Sequence, residues 1–241
     1  MDFTPVLRAE ALKVLTLRSL CGTLLALFAV TTAFSALAGV SGTSDPDFDP
    51  LFTALSGGML GQIAAIAFGA VVVSCEYQGN GIRLTLAAVP QRGRWFAAKL
   101  AVVAVPVLGA GLVSALAALL AARAGLGAAA DGLTVGEQIR GVVGCGIYLM
   151  LMALFAAGLT TLFRSGVATL STLIPFILVV SFVIGDATGA ATDFLPDKAG
   201  QIVLYQAPEG TLGPWTGLAV TALWAAAALL AGFRRLRRRD A

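Results

Sequence analysis

Apolar runs about as long as a bilayer is thick alternate along this chain with short polar or charged segments. A helix needs about 20 predominantly apolar residues to cross the roughly 30 Å hydrocarbon layer. Six stretches meet that length, 19–40, 54–74, 100–122, 141–163, 167–185 and 215–233, and none carries a mid-span acid or base. The pattern predicts an all-α integral membrane protein with six transmembrane helices in a single domain over 1–241. Arg8, Lys13 and Arg18 precede the first stretch, and Ala36-Leu37-Ala38 resembles a signal-peptidase site. The apolar run is nevertheless longer than the roughly 7–15 residues of a signal-peptide core, and five more follow, so it reads as an uncleaved first span.

The segments between the runs have patterns of their own. Over 5–18, Val6, Leu7, Ala11, Val14 and Leu15 alternate with Arg8, Glu10, Lys13 and Arg18, which predicts an amphipathic helix in the membrane interface. The segment 75–99 concentrates charge. It contains a short helix over 82–88 that stops before Pro90, then a second helical run over 92–99 leading into the third span. Only Arg164-Ser165-Gly166 joins the fourth and fifth spans, which makes them antiparallel neighbours. The long segment 186–214 places Leu195, Ala199, Ile202 and Val203 at helical spacing. It either lies on the bilayer or dips into it, or else forms a polar loop. Pro106 and Pro175 each remove a backbone hydrogen bond within a span and are expected to kink it. Gly57 and Gly61 at GxxxG spacing, with Gly109 and Gly111, offer small-residue faces for close helix contact within the chain or in a dimer.

Charge orients this arrangement. With the N-terminus inside, thirteen of the sixteen Lys and Arg fall on inner segments, and only Arg123, Arg140 and Lys198 on outer ones. The positive-inside rule therefore predicts cytoplasmic N and C termini in a multi-pass protein of the cell (plasma) membrane. Outer segments are acidic instead, as in "SDPDFDP". The 241 residues are 58% hydrophobic and 12% charged, with a mean hydropathy of +0.90, against about 25% charged in soluble domains.

Several functions are excluded or disfavoured by what the chain does not contain. It has no histidine, so the commonest general base and metal ligand are missing. Its three cysteines are scattered and form no metal or disulfide pattern. No phosphate-binding P-loop occurs. The closing "FRRLRRRDA" abuts a span and has no interleaved aromatics, so it suits anionic lipid rather than nucleic acid. Spans without charge disfavour an ion-coupled carrier. The mid-span polar groups are mild, and Gln62, Thr160, Thr161 and Ser171 are the candidates for a substrate path. No catalytic residue is predicted, and any energised work must draw on another chain.

The segment "CEYQGNGIRLTLAAVPQRGRWFAAKL" carries the one local motif with a mechanical meaning. Glu76-Tyr77, Gly79, Ile82-Arg83, Leu86, Pro90, Arg92 and Lys99 resemble the run that follows the second span in type-2 ABC transporter permeases. The overall layout of entry helix, six spans, short fourth-to-fifth link and long outer segment resembles that family too. The resemblance implies a coupling helix that docks a separate ABC ATPase through Glu76, Ile82, Arg83, Leu86, Pro90 and Arg92. It also implies a second permease subunit, identical or paralogous, with ATP and Mg held by the ATPase and no cofactor in this chain. Glu76 is expected to pair with Arg83 or with a basic group of the partner. ATP-driven export is the implied activity. A non-transporting anchor, immunity or sensor protein is the alternative.

Overall fold

Helix α1 (Phe3–Thr16) is followed after Leu17 by α2 (Arg18–Ser41). The computed structural model describes residues 3–41, 48–78, 81–82, 85, 91–180, 189–208 and 210–238, and among them there is no strand. A short helix, α3 (Pro50–Leu55), starts where the Asp49 carboxylate accepts the Phe52 N–H at 2.8 Å and Pro50 pre-sets the first turn. Then come α4 (Gly57–Ser74), ending in a 3-10 turn at Cys75–Tyr77, and the long α5 (Arg92–Leu126). Next is α6 (Val135–Phe163), opened by a capping box: Thr134 Oγ1 accepts from Glu137 N–H while the Glu137 carboxylate accepts from Thr134 N–H. Helix α7 (Gly166–Pro175) continues as a π-helical turn, Phe176–Val180. The segment before the last span contains a 3-10 turn (Gly189–Phe194), α8 (Pro196–Gln201) and another 3-10 turn (Ile202–Leu204), and α9 (Pro214–Arg238) closes the bundle.

Five of these helical stretches, Arg18–Ser41, Pro50–Tyr77, Arg92–Leu126, Val135–Phe163 and Pro214–Arg238, are long and apolar enough to cross a membrane. A shorter apolar helix, Gly166–Val179, stands where the fifth stretch was expected, and 181–188 lie outside the described residues. Polarity runs inside out relative to a soluble bundle. Leu25, Leu37, Val105, Leu120, Leu223 and Leu230 are exposed, whereas Thr31, Ser35, Gln62, Ser114, Thr160 and Thr221 are buried. Water would penalise so continuous an apolar exterior, and a bilayer does not. The protein is an all-α, multi-pass membrane protein.

Helix α6 is the central post, packed against α4, α5, α7 and α9. Small residues let its neighbours approach. A Cβ on Gly158 would meet the α9 backbone at 2.7 Å, and one on Gly111 of α5 would meet the Gly146 Cα at 3.1 Å. The Gly57/Gly61 pair is used within the chain: both glycines lie against Thr31 of α2, and Gly57 N–H donates to Ser35 Oγ at 3.0 Å. Gly109, by contrast, faces open space.

Helix α5 starts at Arg92, so 92–99 is one continuous helix with the third span, roughly 50 Å long at 1.5 Å per residue. Pro106 lies within it without ending it. At Pro175 the ladder shifts from α to π, a local accommodation for a residue that has no N–H to donate.

Within the segment 186–214, the stretch 196–204 is seated in the bundle. Pro196, Asp197, Ala199, Gly200, Gln201, Val203 and Leu204 are all buried. Thr221 Oγ1 donates to Pro196 O at 2.8 Å, Trp224 Nε1 to Phe194 O at 3.0 Å, and Arg140 to the carbonyls of Tyr205 and Gln206 at 2.8 and 3.0 Å. Gly144 of α6 leaves room for the Val203 side chain, which presses directly on it. Gly144→Ala is expected to destabilise the protein by about 1–3 kcal/mol through overpacking. Adding Val203→Ala should recover part of that loss, read as thermal unfolding in detergent, and strictly additive effects would contradict the seating.

Candidate functional site

The end of the bundle that carries the basic residues holds a buried charge cluster built by three separate segments. Helix α1 contributes Glu10 and Lys13, the turn after α4 contributes Glu76, and the first turns of α5 contribute Lys99. The Lys99 ammonium sits between the two carboxylates: it donates to Glu10 Oε2 and, at 2.8 Å, to Glu76 Oε1. Lys13 bridges the same pair from the rim, to Glu10 at 3.0 Å and Glu76 at 2.8 Å. Thr85 Oγ1 donates to the other Glu76 oxygen at 3.0 Å. Lys99 also lies 5.8 Å from the centre of the Trp95 ring. Glu10, Glu76 and Lys99 are at most 5% exposed. Burying such groups singly is prohibitive. Two carboxylates and two ammonium groups are tolerated because they neutralise one another and fill each other's hydrogen bonds.

Burial draws the Lys13 pKa down, but hydrogen bonds to Glu76 and Glu10, together with their charges, outweigh it, and the net direction is up. A raised lysine contributes stability that is complete below its ordinary value and is lost only as pH climbs through the raised one. The tie is therefore fully present across the physiological range.

Next to this cluster, Ile82, Trp95, Phe96 and Leu236 form a small separate core, joined by Tyr77, Leu100, Leu229 and Phe233. Phe96 stacks on Phe233 at 5.4 Å, and Arg92 donates to Leu236 O at 2.7 Å, so the start of α5 holds the end of α9. The charged segment is thus clamped to α1, α5 and α9 together.

The sequence-predicted docking residues fall into two groups. Glu76, Ile82 and Arg92 are brought together here, all engaged within the chain. Arg83, Leu86 and Pro90 lie outside the described residues, as does most of the helix expected over 82–88, of which Ile82 and Thr85, with the preceding Gly81, are helical. Among the described residues Glu76 binds Lys13, Lys99 and Thr85, and the expected pairing with Arg83 lies outside them. Glu10 is corrected, since it lies on the buried face of α1 and not on a solvated one. The signal was present, because Val6, Glu10 and Val14 share one stripe at i, i+4 and i+8, and an acid on a buried stripe requires a cation opposite.

The proposed substrate-path residues do not converge. Gln62 accepts from Tyr148 OH, which in turn accepts from Gln201 Nε2 at 3.2 Å, a buried polar chain linking α4, α6 and α8. Above it, at the end opposite the charge cluster, is a cavity of about 700 Å³ lined by Asp49, Met59, Lys198, Gln201 and Tyr205 among others. Thr160 and Thr161 are buried and back-bonded to Ala156 O and Ala157 O, and Thr160 also bonds Thr169 at 3.0 Å. Ser171 is exposed on α7. Of the four, only Gln62 belongs to a network reaching that cavity.

No protein-family model matches the chain, and no curated protein matches it.

Lys99→Met leaves two buried carboxylates with one rim lysine and is expected to cost about 3–5 kcal/mol. Glu10→Gln in the same chain should restore part of it by removing the excess negative charge. Thermal unfolding of the wild type, both single variants and the double variant checks this, and a double variant as unstable as the sum of the two singles would count against the cluster.

Proposed function

We propose that this chain is the permease subunit of an ATP-driven exporter in the cell membrane, with six spans and both termini cytoplasmic. It works with a second permease subunit and two ABC ATPase subunits that bind ATP and Mg. The observation that carries this reading is the charge cluster. The loop after α4 is locked by Glu76 to both Lys13 of α1 and Lys99 of α5, so a force applied to that loop reaches three helices without slack. A chain with uncharged spans and no nucleotide motif needs such an entry point for power from outside. The docking surface on this reading is the segment 82–90, with Arg83 and Leu86 as its contacts. Glu76, Ile82 and Arg92 act behind it as positioning residues, holding the loop to the bundle. Gln62 and the Tyr148–Gln201 chain beneath the cavity mark the side from which cargo leaves.

The test is co-expression with ABC ATPases from the same genome, followed by purification in detergent. The permease should carry one ATPase along at equal stoichiometry. Arg83→Glu and Leu86→Asp should abolish ATPase-dependent transport while leaving membrane insertion intact. A permease that retains no ATPase would favour the anchor or sensor reading. Unchanged transport in both variants would move the docking surface elsewhere.

A further inference from the structure

Besides Trp95 Nε1 on α5, three buried polar atoms with no hydrogen-bond partner among the described residues lie at the basic end: Tyr77 OH, Arg164 Nε and Arg235 Nε. They come from three elements whose ends meet there. Gly166, two residues after Arg164, packs on Ser74, three residues before Tyr77, such that a Cβ would meet Ser74 Oγ at 2.7 Å. Gly232 packs on Thr161, with a Cβ contact of 2.9 Å, so Arg235 and Arg164 each stand three residues further on, at one level. The Arg164 and Arg235 charges are also the two cationic influences felt by the Tyr77 hydroxyl. Neither guanidinium has an ion pair or a hydrogen bond among the described residues, although both are half-buried.

Buried donors in native proteins are normally matched, and a guanidinium offers five N–H groups in a fork suited to oxyanions. Arg164 adds a second indication. It ends α6 in the left-handed region at φ 60°, where glycine is the usual residue, and it is the one non-glycine with positive φ among the described residues. A long cationic side chain is thus kept at a position where the backbone favours none.

We propose that Tyr77, Arg164 and Arg235 bind the phosphate of an anionic phospholipid in the leaflet at the basic end of the bundle. Two guanidinium groups and a hydroxyl converge on one tetrahedral oxyanion, whose oxygens accept from all three. A lipid is favoured over a carboxylate of a soluble partner by what lies alongside. Exposed apolar residues lie there: Phe163 at the end of α6 and Val167 at the start of α7, 39% and 77% exposed, and, past the exposed Ser171 and Thr172, Leu178 and Val179 in the π-helical turn. Acyl chains fit these residues while the headgroup occupies the arginines. The inference stands on these residues alone and is independent of any ATPase.

The full chain in detergent is examined by native mass spectrometry with dioleoyl phosphatidylglycerol or dioleoyl phosphatidylcholine added at equal concentration. One phosphatidylglycerol per chain should be retained with a preference of about tenfold or more. Arg164→Gln with Arg235→Gln should erase the preference, and Tyr77→Phe should weaken it. Arg237→Gln with Arg238→Gln should leave it intact, since both side chains are exposed and Arg237 lies over the Phe233 ring. If the Arg164/Arg235 pair fails to fold, Arg235→Gln alone, in the last turns of α9, gives the same reading with a smaller drop. Equal retention of the two lipids by the wild type overturns the proposal. So does an equal loss in the Arg237/Arg238 variant, or displacement of the lipid by 1 mM inorganic phosphate, which would mark a free-anion site. Lipid retained in the Arg164/Arg235 variant while ATPase co-purification is lost would assign the arginines to a protein carboxylate and also overturn it.

Discussion

Lys99 is a charged residue at 2% exposure in a helix that continues into the membrane, and the basic end of the bundle is organised around keeping it neutralised. Its ammonium cannot be left unmatched there, so a carboxylate from α1 and another from the end of α4 are drawn to it. Those two acids belong to segments with no covalent reason to be neighbours. Once they are gathered, Lys13 and Thr85 complete their hydrogen bonds, and Trp95 covers the ammonium. The adjoining apolar core of Ile82, Trp95, Phe96 and Leu236 is then placed against α9. The entry helix α1, the turn after α4 and the closing helix α9 are thereby tied together around the first turns of α5.

The rest of the bundle is held by different means. Between membrane helices there is little hydrophobic gain to be had, so contact depends on how closely backbones approach and on the few polar groups inside. Glycines at 57, 61, 111, 144, 146 and 158 supply the approach. Buried hydroxyls and amides supply the bonds, as in Gly57 N–H to Ser35 and the Gln62–Tyr148–Gln201 chain. The same logic explains why 196–204 can sit inside the bundle. The carbonyls of Pro196 and, just beyond the ends of this stretch, of Phe194, Tyr205 and Gln206 are taken up by Thr221, Trp224 and Arg140, which keeps irregular chain tolerable against the helices.

Much of this was legible in the sequence. The apolar runs located the long helices to within a few residues at most ends, because hydrocarbon thickness and helical rise leave little freedom. The amphipathic entry helix was visible from its period, and its tie to the rest was not. Glu10 reads as an ordinary surface acid until its stripe is compared with Val6 and Val14. Lys99 reads as one more loop-retaining cation until Glu10 and Glu76 are seen to enclose it.

By itself the sequence determined the class of protein, the number and order of apolar runs and the side on which positive charge gathers. Each of these follows from local composition measured against one fixed length, the bilayer. Only the tertiary structure decided which polar groups meet. Glu10 finds Lys99 across 89 residues, Glu76 finds Lys13 across 63, and Arg92 finds Leu236 across 144. Such pairings depend on which helix faces touch, and that is set by glycine-sized gaps and by the cost of a lone buried charge, both properties of packed neighbours.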